Sequence, residues 1–182
     1  VREFATLTFR HPRIELRWEV EGNIEYGNVV PVSGSVNSDL VGKITNIASR
    51  GGQMLQKKLE GKLGTLDAEG LALVEKCRAA GETIAKFYED RRFNQVVVEI
   101  CKLADAANEY FDKREPWKTV KTDAETTRTT LTAALNAFRI IAIYLKPILP
   151  VYADKAMAFF GEKEWTWAVS YTHMTLPTKG TG

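Results

Sequence analysis

The sequence predicts an all-α bundle of five helices between Val36 and Trp167, and three observations carry that reading. Apolar residues recur there at intervals of three and four over five separate runs, the spacing that lines one face of a helix. Capping residues and prolines punctuate the runs, and the segments joining them are short. No internal repeat or low-complexity linker interrupts them. At 182 residues and 45% apolar content, the chain is long enough to bury the core of one domain of ordinary size.

The residues before Val36 have a different character. Ile14, Leu16, Trp18 and Val20 alternate with Glu15, Arg17, Glu19 and Glu21, a period of two that predicts a strand. Glu21-Gly22-Asn23 reads as a turn and Gly27-Asn28 as another, so residues 1–35 are expected to be a small hairpin or a stretch of foreign origin, such as a shifted reading frame.

The first helix runs from Val36 to about Leu59 with Leu40, Ile44, Ile47 and Ala48 as its buried stripe. Gly51-Gly52 is expected to weaken its middle by roughly 1 kcal/mol per glycine relative to alanine. A Gly- and Lys-rich loop follows, and Asp67 is placed to cap a second helix carrying Leu73, Cys77, Ala80, Ile84 and Phe87. Asn94 is the expected cap of the third helix, with Phe93 and Val98 as a hydrophobic staple and Pro116 as its stop. Its stripe is Val97, Ile100, Cys101, Ala104 and Phe111.

Thr122 and Glu125 have capping-box spacing ahead of a fourth helix with the stripe Leu131, Leu135, Phe138, Ile141, Ala142 and Leu145. Pro147 and Pro150 bracket a corner before a fifth helix bearing Ala153, Ala156, Met157 and Phe160. The helical domain is expected to span 36–168. Residues 169–182 are Thr-rich and aperiodic. Val169-Ser170-Tyr171-Thr172-His173-Met174 resembles the translation of a transposon-end sequencing adaptor, with Met174 where that translation has leucine, so an artefactual tail is expected there.

Composition excludes several functions. A net charge of +2 neither demands nor excludes nucleic acid, because a small basic face fits within a near-neutral total. No run approaches the roughly 18–20 apolar residues of a membrane span and no signal peptide opens the chain, so a cytoplasmic location with no membrane partner is expected. Cys77 and Cys101 are far apart on expected buried faces and read as reduced core thiols. The two histidines, His11 and His173, fall in the two ends. No phosphate loop, metal-ligand spacing or nucleophile elbow is present, so no catalytic residue and no metal site is assigned.

What the body does offer is a set of binding residues. Asn46 and Arg50 stand four apart and leave one helix face as neighbours, an amide beside a guanidinium suited to reading a base edge. The same pair also fits an ordinary polar surface. Trp117 follows Pro116 at a helix end, either as a stacking platform for an unpaired base or as a lid folded over the bundle. Lys118 and Lys121 follow it as candidate phosphate contacts. Lys57, Lys58 and Lys62 read as cations complementing a helix C-terminus, and Arg91 and Arg92 as exposed turn residues opposite the proposed face.

Taken together, Val36-Asn37-Ser38-Asp39-Leu40-Val41-Gly42-Lys43, Asn46-Ile47-Ala48-Ser49-Arg50, Glu115-Pro116-Trp117 and Tyr144-Leu145-Lys146-Pro147-Ile148-Leu149-Pro150 resemble the anticodon-binding domain of the methionyl-tRNA synthetase family, over roughly Val36 to Trp167. The resemblance implies the five-helix anticodon-binding bundle of class I aminoacyl-tRNA synthetases, recognising the CAU anticodon of initiator and elongator methionine tRNAs. It places anticodon contacts on Asn46, Arg50, Pro116 and Trp117, with Asp112 near the same surface. The family's ATP, magnesium and zinc sites belong to a catalytic domain with its own signatures, which these residues lack. The chain is therefore expected to be a non-catalytic fragment with no cofactor of its own, partnering methionine tRNA and that catalytic domain. Two rival readings remain: the equivalent bundle of a valine, isoleucine, leucine or cysteine synthetase, and a non-enzymatic interaction bundle.

Overall fold

The computed structural model describes the backbone of residues 10–11, 14–21, 24–31 and 36–171, and side chains from residue 42 to residue 171. The helical body comprises α1 (Val36–Lys58), α2 (Ala68–Glu89), α3 (Phe93–Arg114), α4 (Pro116–Thr119), α5 (Ala124–Leu145) and α6 (Pro150–Phe160), followed by a 3-10 helix at Trp167–Tyr171. The five long helices are those the apolar periodicity predicts. α4 is an additional single turn.

α5 is the axis of the bundle. A single apolar stripe is expected for it, but from Thr130 to Leu145 every residue is buried. The reason is that α1, α2, α3 and α6 all pack on it, leaving no face for solvent. Two of its buried polar side chains donate back within the helix: Thr130 Oγ1 to Thr126 O at 2.9 Å and Asn136 Nδ2 to Thr132 O at 2.8 Å.

α2 approaches α5 closely because two of its glycines lack a Cβ. A methyl group on Gly70 would lie 2.9 Å from Ala133 Cβ, and one on Gly81 would lie 2.7 Å from Tyr144 Oη. The Tyr144 hydroxyl donates to Cys77 O at 3.2 Å, so it cannot swing aside without losing a buried hydrogen bond. Gly81→Val is expected to lower the unfolding free energy by about 1–3 kcal/mol through overpacking, because valine recovers little of glycine's helix-propensity deficit. Urea unfolding measures this, and a variant as stable as the parent would show that the α2–α5 contact tolerates bulk.

Gly51 and Gly52 also stand at close helix contacts. The helix runs through them and both are buried. Gly51 faces Leu135 and Phe111, and a Cβ on Gly52 would meet the Phe159 ring of α6 at 2.3 Å. The missing side chains make room for neighbouring helices.

Several boundaries differ from expectation. Asp67 caps α2 as predicted, its Oδ1 accepting from Gly70 N at 2.7 Å. Asn94 does not cap α3: the helix begins at Phe93 behind Arg92, without a side-chain cap, and Val98 is exposed, so the staple does not form. Thr122 and Glu125 form no capping box, because Asp123 takes the Thr126 amide at 3.0 Å instead, an aspartate being as good a cap as threonine. Pro116 does not simply stop α3. The helix ends at Arg114, and Pro116 opens α4 at a first-turn position where its missing N–H costs nothing.

At the N-terminal side, β1 (Arg10–His11), β2 (Ile14–Glu21) and β3 (Ile24–Pro31) form an antiparallel sheet in chain order. β2 and β3 pair antiparallel, with Trp18 opposite Gly27. Gly27-Asn28 is not a turn but lies inside β3, paired with Trp18 and Arg17. Residues 22–23, the other expected turn, lie outside the described residues.

At the other end the packed body continues past the boundary expected at 168. Ser170 is buried, and Arg139 Nη1 donates to Val169 O at 3.1 Å. Residues 172–182, which hold most of the tail 169–182 expected to be artefactual, lie outside the described residues. Cys77 is buried and Cys101 is half-buried, and no disulfide joins the two. No helix among the described residues is long and apolar enough to cross a membrane.

Candidate nucleic-acid interface

α1 and α3 lie side by side and run in the same direction, which a ladder of three side-chain pairs makes plain. Lys43 Nζ meets Asp105 Oδ1 at 2.8 Å, Asn46 Nδ2 meets Asn108 Oδ1 at 3.5 Å, and Arg50 Nη1 meets Asp112 Oδ1 at 3.3 Å. Each pair is separated by 62 residues. Intervals of three and four on both helices keep all six side chains on facing edges. Asn108 is fixed from behind, because its Nδ2 donates to Lys43 O at 3.1 Å and to Ala104 O at 2.9 Å. That leaves its carbonyl oxygen facing Asn46.

The platform lies at the end of this ladder. Glu115 adopts the left-handed conformation (φ 44°, ψ 54°), which costs a non-glycine residue roughly 1–2 kcal/mol and turns the chain sharply. Pro116 is buried and fixes the next step, and Trp117 returns over Phe111 with ring centroids 6.1 Å apart and planes inclined at 42°. Sequence alone leaves Trp117 as either platform or lid. Its ring is anchored on Phe111, yet it remains 37% exposed.

Arg50 joins the ladder to the platform. Its guanidinium carbon lies 4.9 Å from the Trp117 centroid and 5.1 Å from that of Phe111, within cation–π range of both. The arginine and Asp112 are both well exposed, with side-chain exposures of 41% and 59%. Asn46, Arg50, Asp112, Pro116 and Trp117 therefore converge at one end of the α1–α3 edge. They present amide, guanidinium, carboxylate and indole groups within one face.

The lysines are less tightly gathered. Lys118 Nζ pairs with Glu115 Oε1 at 2.7 Å, and Lys121 is exposed just beyond α4. Lys57 and Lys58 occupy the last turn of α1, and Lys62 pairs with Glu60 at 2.8 Å. Arg91 and Arg92 are exposed at the opposite end of α3 from Trp117, with Arg92 over the Phe87 ring at 4.9 Å.

Sequence reasoning missed Asn108, the left-handed Glu115 and the role of Phe111 beneath both Arg50 and Trp117. A signal for Asn108 exists: Asn108 and Asp112 stand four apart on α3, as Asn46 and Arg50 do on α1. Among the described residues no cluster of His, Cys, Asp and Glu could hold a metal ion. Burial pushes the Cys77 thiol up to about 12, so it stays protonated at neutral pH.

The family model for the anticodon binding domain of methionyl tRNA ligase matches residues 61–180, more than half of the chain. The match begins after α1 and extends into the residues beyond the 3-10 helix. The chain is 49% identical over 148 residues to a methionine–tRNA ligase of Bdellovibrio bacteriovorus, covering 81% of this chain and 22% of that protein. It is 42% identical over 134 residues to that of Aromatoleum aromaticum, covering 72% of this chain and 18% of the relative. The chain thus spans about a fifth of the length of the curated relatives it matches. Among solved structures, Mycobacterium tuberculosis methionyl-tRNA synthetase in complex with methionyl-adenylate superposes with a TM-score of 0.72 at 25% identity, covering 79% of this chain and 31% of that one. Its free state superposes equally well, with a TM-score of 0.72 at 23% identity over 77% of this chain and 30% of that one. With this fold and these relatives, the chain belongs to the family of anticodon-binding domains of methionyl-tRNA ligase.

Proposed function

We propose that the face formed by Asn46, Arg50, Asp112, Pro116 and Trp117 recognises the CAU anticodon of initiator and elongator methionine tRNAs. In this reading the domain presents the tRNA to a catalytic domain of a longer protein, where ATP and magnesium act. The observation that carries the proposal is convergence: a partly exposed indole, a guanidinium stacked on it and an amide one helical turn away share one face. Trp117 would stack an unpaired base. Arg50 and Asn46 would donate to its edges, Arg50 by exchanging its contacts with Asp112 and the indole for contacts with the base. Lys118 and Lys121 would meet loop phosphates, adding affinity that falls as salt rises.

The test is titration of the chain with RNA hairpins carrying CAU or single-base variants, at low and fixed salt. Trp117→Ala is expected to cost about 1–3 kcal/mol for the CAU hairpin. Arg50→Ala should cost about 1.5–3 kcal/mol, as the loss of a charge-assisted contact, and should also reduce discrimination against altered anticodons. Lys118→Ala should weaken all hairpins alike. If Trp117→Ala and Arg50→Ala bind every hairpin as the parent does, the anticodon face lies elsewhere.

A further inference from the structure

Arg114 is the last residue of α3, three positions before Trp117, and it faces away from the anticodon side. Its Nη2 donates to Asp67 Oδ2 at 2.6 Å and to Glu69 Oε2 at 2.9 Å, and its Nε donates to Glu69 Oε2 at 3.2 Å. The guanidinium also lies 5.3 Å from the centroid of the Tyr110 ring, one turn back on the same helix. Only 20% of the side chain is exposed, in contrast to the neighbouring Lys113, whose side chain is 70% exposed and meets Glu69 at the longer distance of 3.5 Å.

The anchor it reaches is itself rigid. Asp67 uses one carboxylate oxygen to cap α2 through the Gly70 amide at 2.7 Å and the other to hold Arg114. Partial burial alone would raise this carboxyl, but the Gly70 amide and the Arg114 guanidinium together hold it below its ordinary value. On the far side of Trp117, the hydroxyls of Thr119 and Thr127 are hydrogen-bonded at 2.7 Å, tying α4 to α5. The indole therefore sits on a single turn suspended between two fixed points. Between Arg114 and that turn stands only Glu115, in a conformation it would leave if the end of α3 frayed.

We propose that Arg114 is a positioning residue for the anticodon platform: by clamping the end of α3 to the capped start of α2, it sets the direction in which Glu115 launches Pro116 and Trp117. This rests on the reading of Trp117 as the stacking platform, and none of Arg114's contacts involves Asn46, Arg50 or Trp117 itself.

The experiment uses the full chain with Arg114→Met and Arg114→Lys, each alone and combined with Trp117→Ala. Arg114→Met should weaken the CAU hairpin about tenfold, within the coupling range of interacting groups. In the Trp117→Ala background it should add less than about twofold, because the group it positions is gone. Arg114→Lys, able to reach one carboxylate, should recover part of the affinity. Chains carrying 5-fluorotryptophan give a second reading without RNA. The fluorine line assigned by Trp117→Phe should shift or broaden in Arg114→Met, while the lines of Trp165 and Trp167 stay in place. Equal weakening in both backgrounds, or an unchanged Trp117 line, overturns the inference. If the parent chain binds no hairpin, the anticodon reading fails, and the fluorine line still decides whether Arg114 positions the indole. If Arg114→Met does not fold, Arg114→Lys carries the same comparisons.

Discussion

Arg139→Ala is expected to lower the unfolding free energy by about 3–5 kcal/mol, as removal of one partner from a buried ion pair does. Arg139 is 3% exposed in the middle of α5 and meets both oxygens of Glu162, at 2.7 Å and 3.0 Å. It also donates to Val169 O. Glu162 in turn accepts from the Trp165 indole, and Lys146 Nζ donates to Trp165 O at 2.9 Å. One arginine thus fastens the segment from Glu162 to Val169 across the end of the bundle. Removing it leaves the Glu162 carboxylate with a reduced set of donors in a site largely closed to water. Urea unfolding gives the loss, and hydrogen exchange should show residues 162–171 opening before the helices do. A loss under about 1 kcal/mol would mean that water replaces the guanidinium at little cost.

Phe111→Ala should be comparably severe, at about 3–5 kcal/mol of stability, and should also impair the binding face. The ring is 2% exposed and is shared by the core and the platform. One neighbourhood includes Gly51 of α1, where an added Cβ would lie 3.7 Å from the ring. The other comprises Trp117 and the Arg50 guanidinium. Without it the indole loses its backing and Arg50 one of its two aromatic contacts. The variant should therefore lose hairpin affinity to about the extent of Trp117→Ala, roughly 1–3 kcal/mol. Phe111→Leu keeps most of the volume, so it should fold with a smaller loss and still bind more weakly than the parent. If Phe111→Leu binds the CAU hairpin at full strength, Trp117 does not depend on the ring beneath it.

The helical spacing made the long helices readable because burial imposes it: Ile44, Ile47, Leu55, Ile100 and Leu135 are all essentially inaccessible to solvent, as their positions require. α5 was harder to read, since a helix surrounded by neighbours has no polar face to define its period. Cap positions are ambiguous where two capping residues lie side by side, as at Thr122 and Asp123, because the choice turns on backbone angles the sequence does not express. Asn46, Arg50 and Trp117 could be singled out by residue type and by family resemblance. Their shared face could not, since it depends on how α1 settles against α3. Asn108 and Arg114 are not legible for the same reason: their partners are 62 and 47 residues away along the chain.

The ladder between α1 and α3 has a consequence for assembly. Sliding either helix by one residue would rotate its side chains by about 100° and break all three rungs together, because each has the same offset. The register that pairs Lys43 with Asp105 and Asn46 with Asn108 is the same one that sets Arg50 beside the Trp117 ring. The contacts between the two helices, buried and exposed alike, fix the alignment, and the number of residues between them does not. The loops flanking α2 could then gain or lose residues without moving the binding face, provided the long helices still meet on this edge.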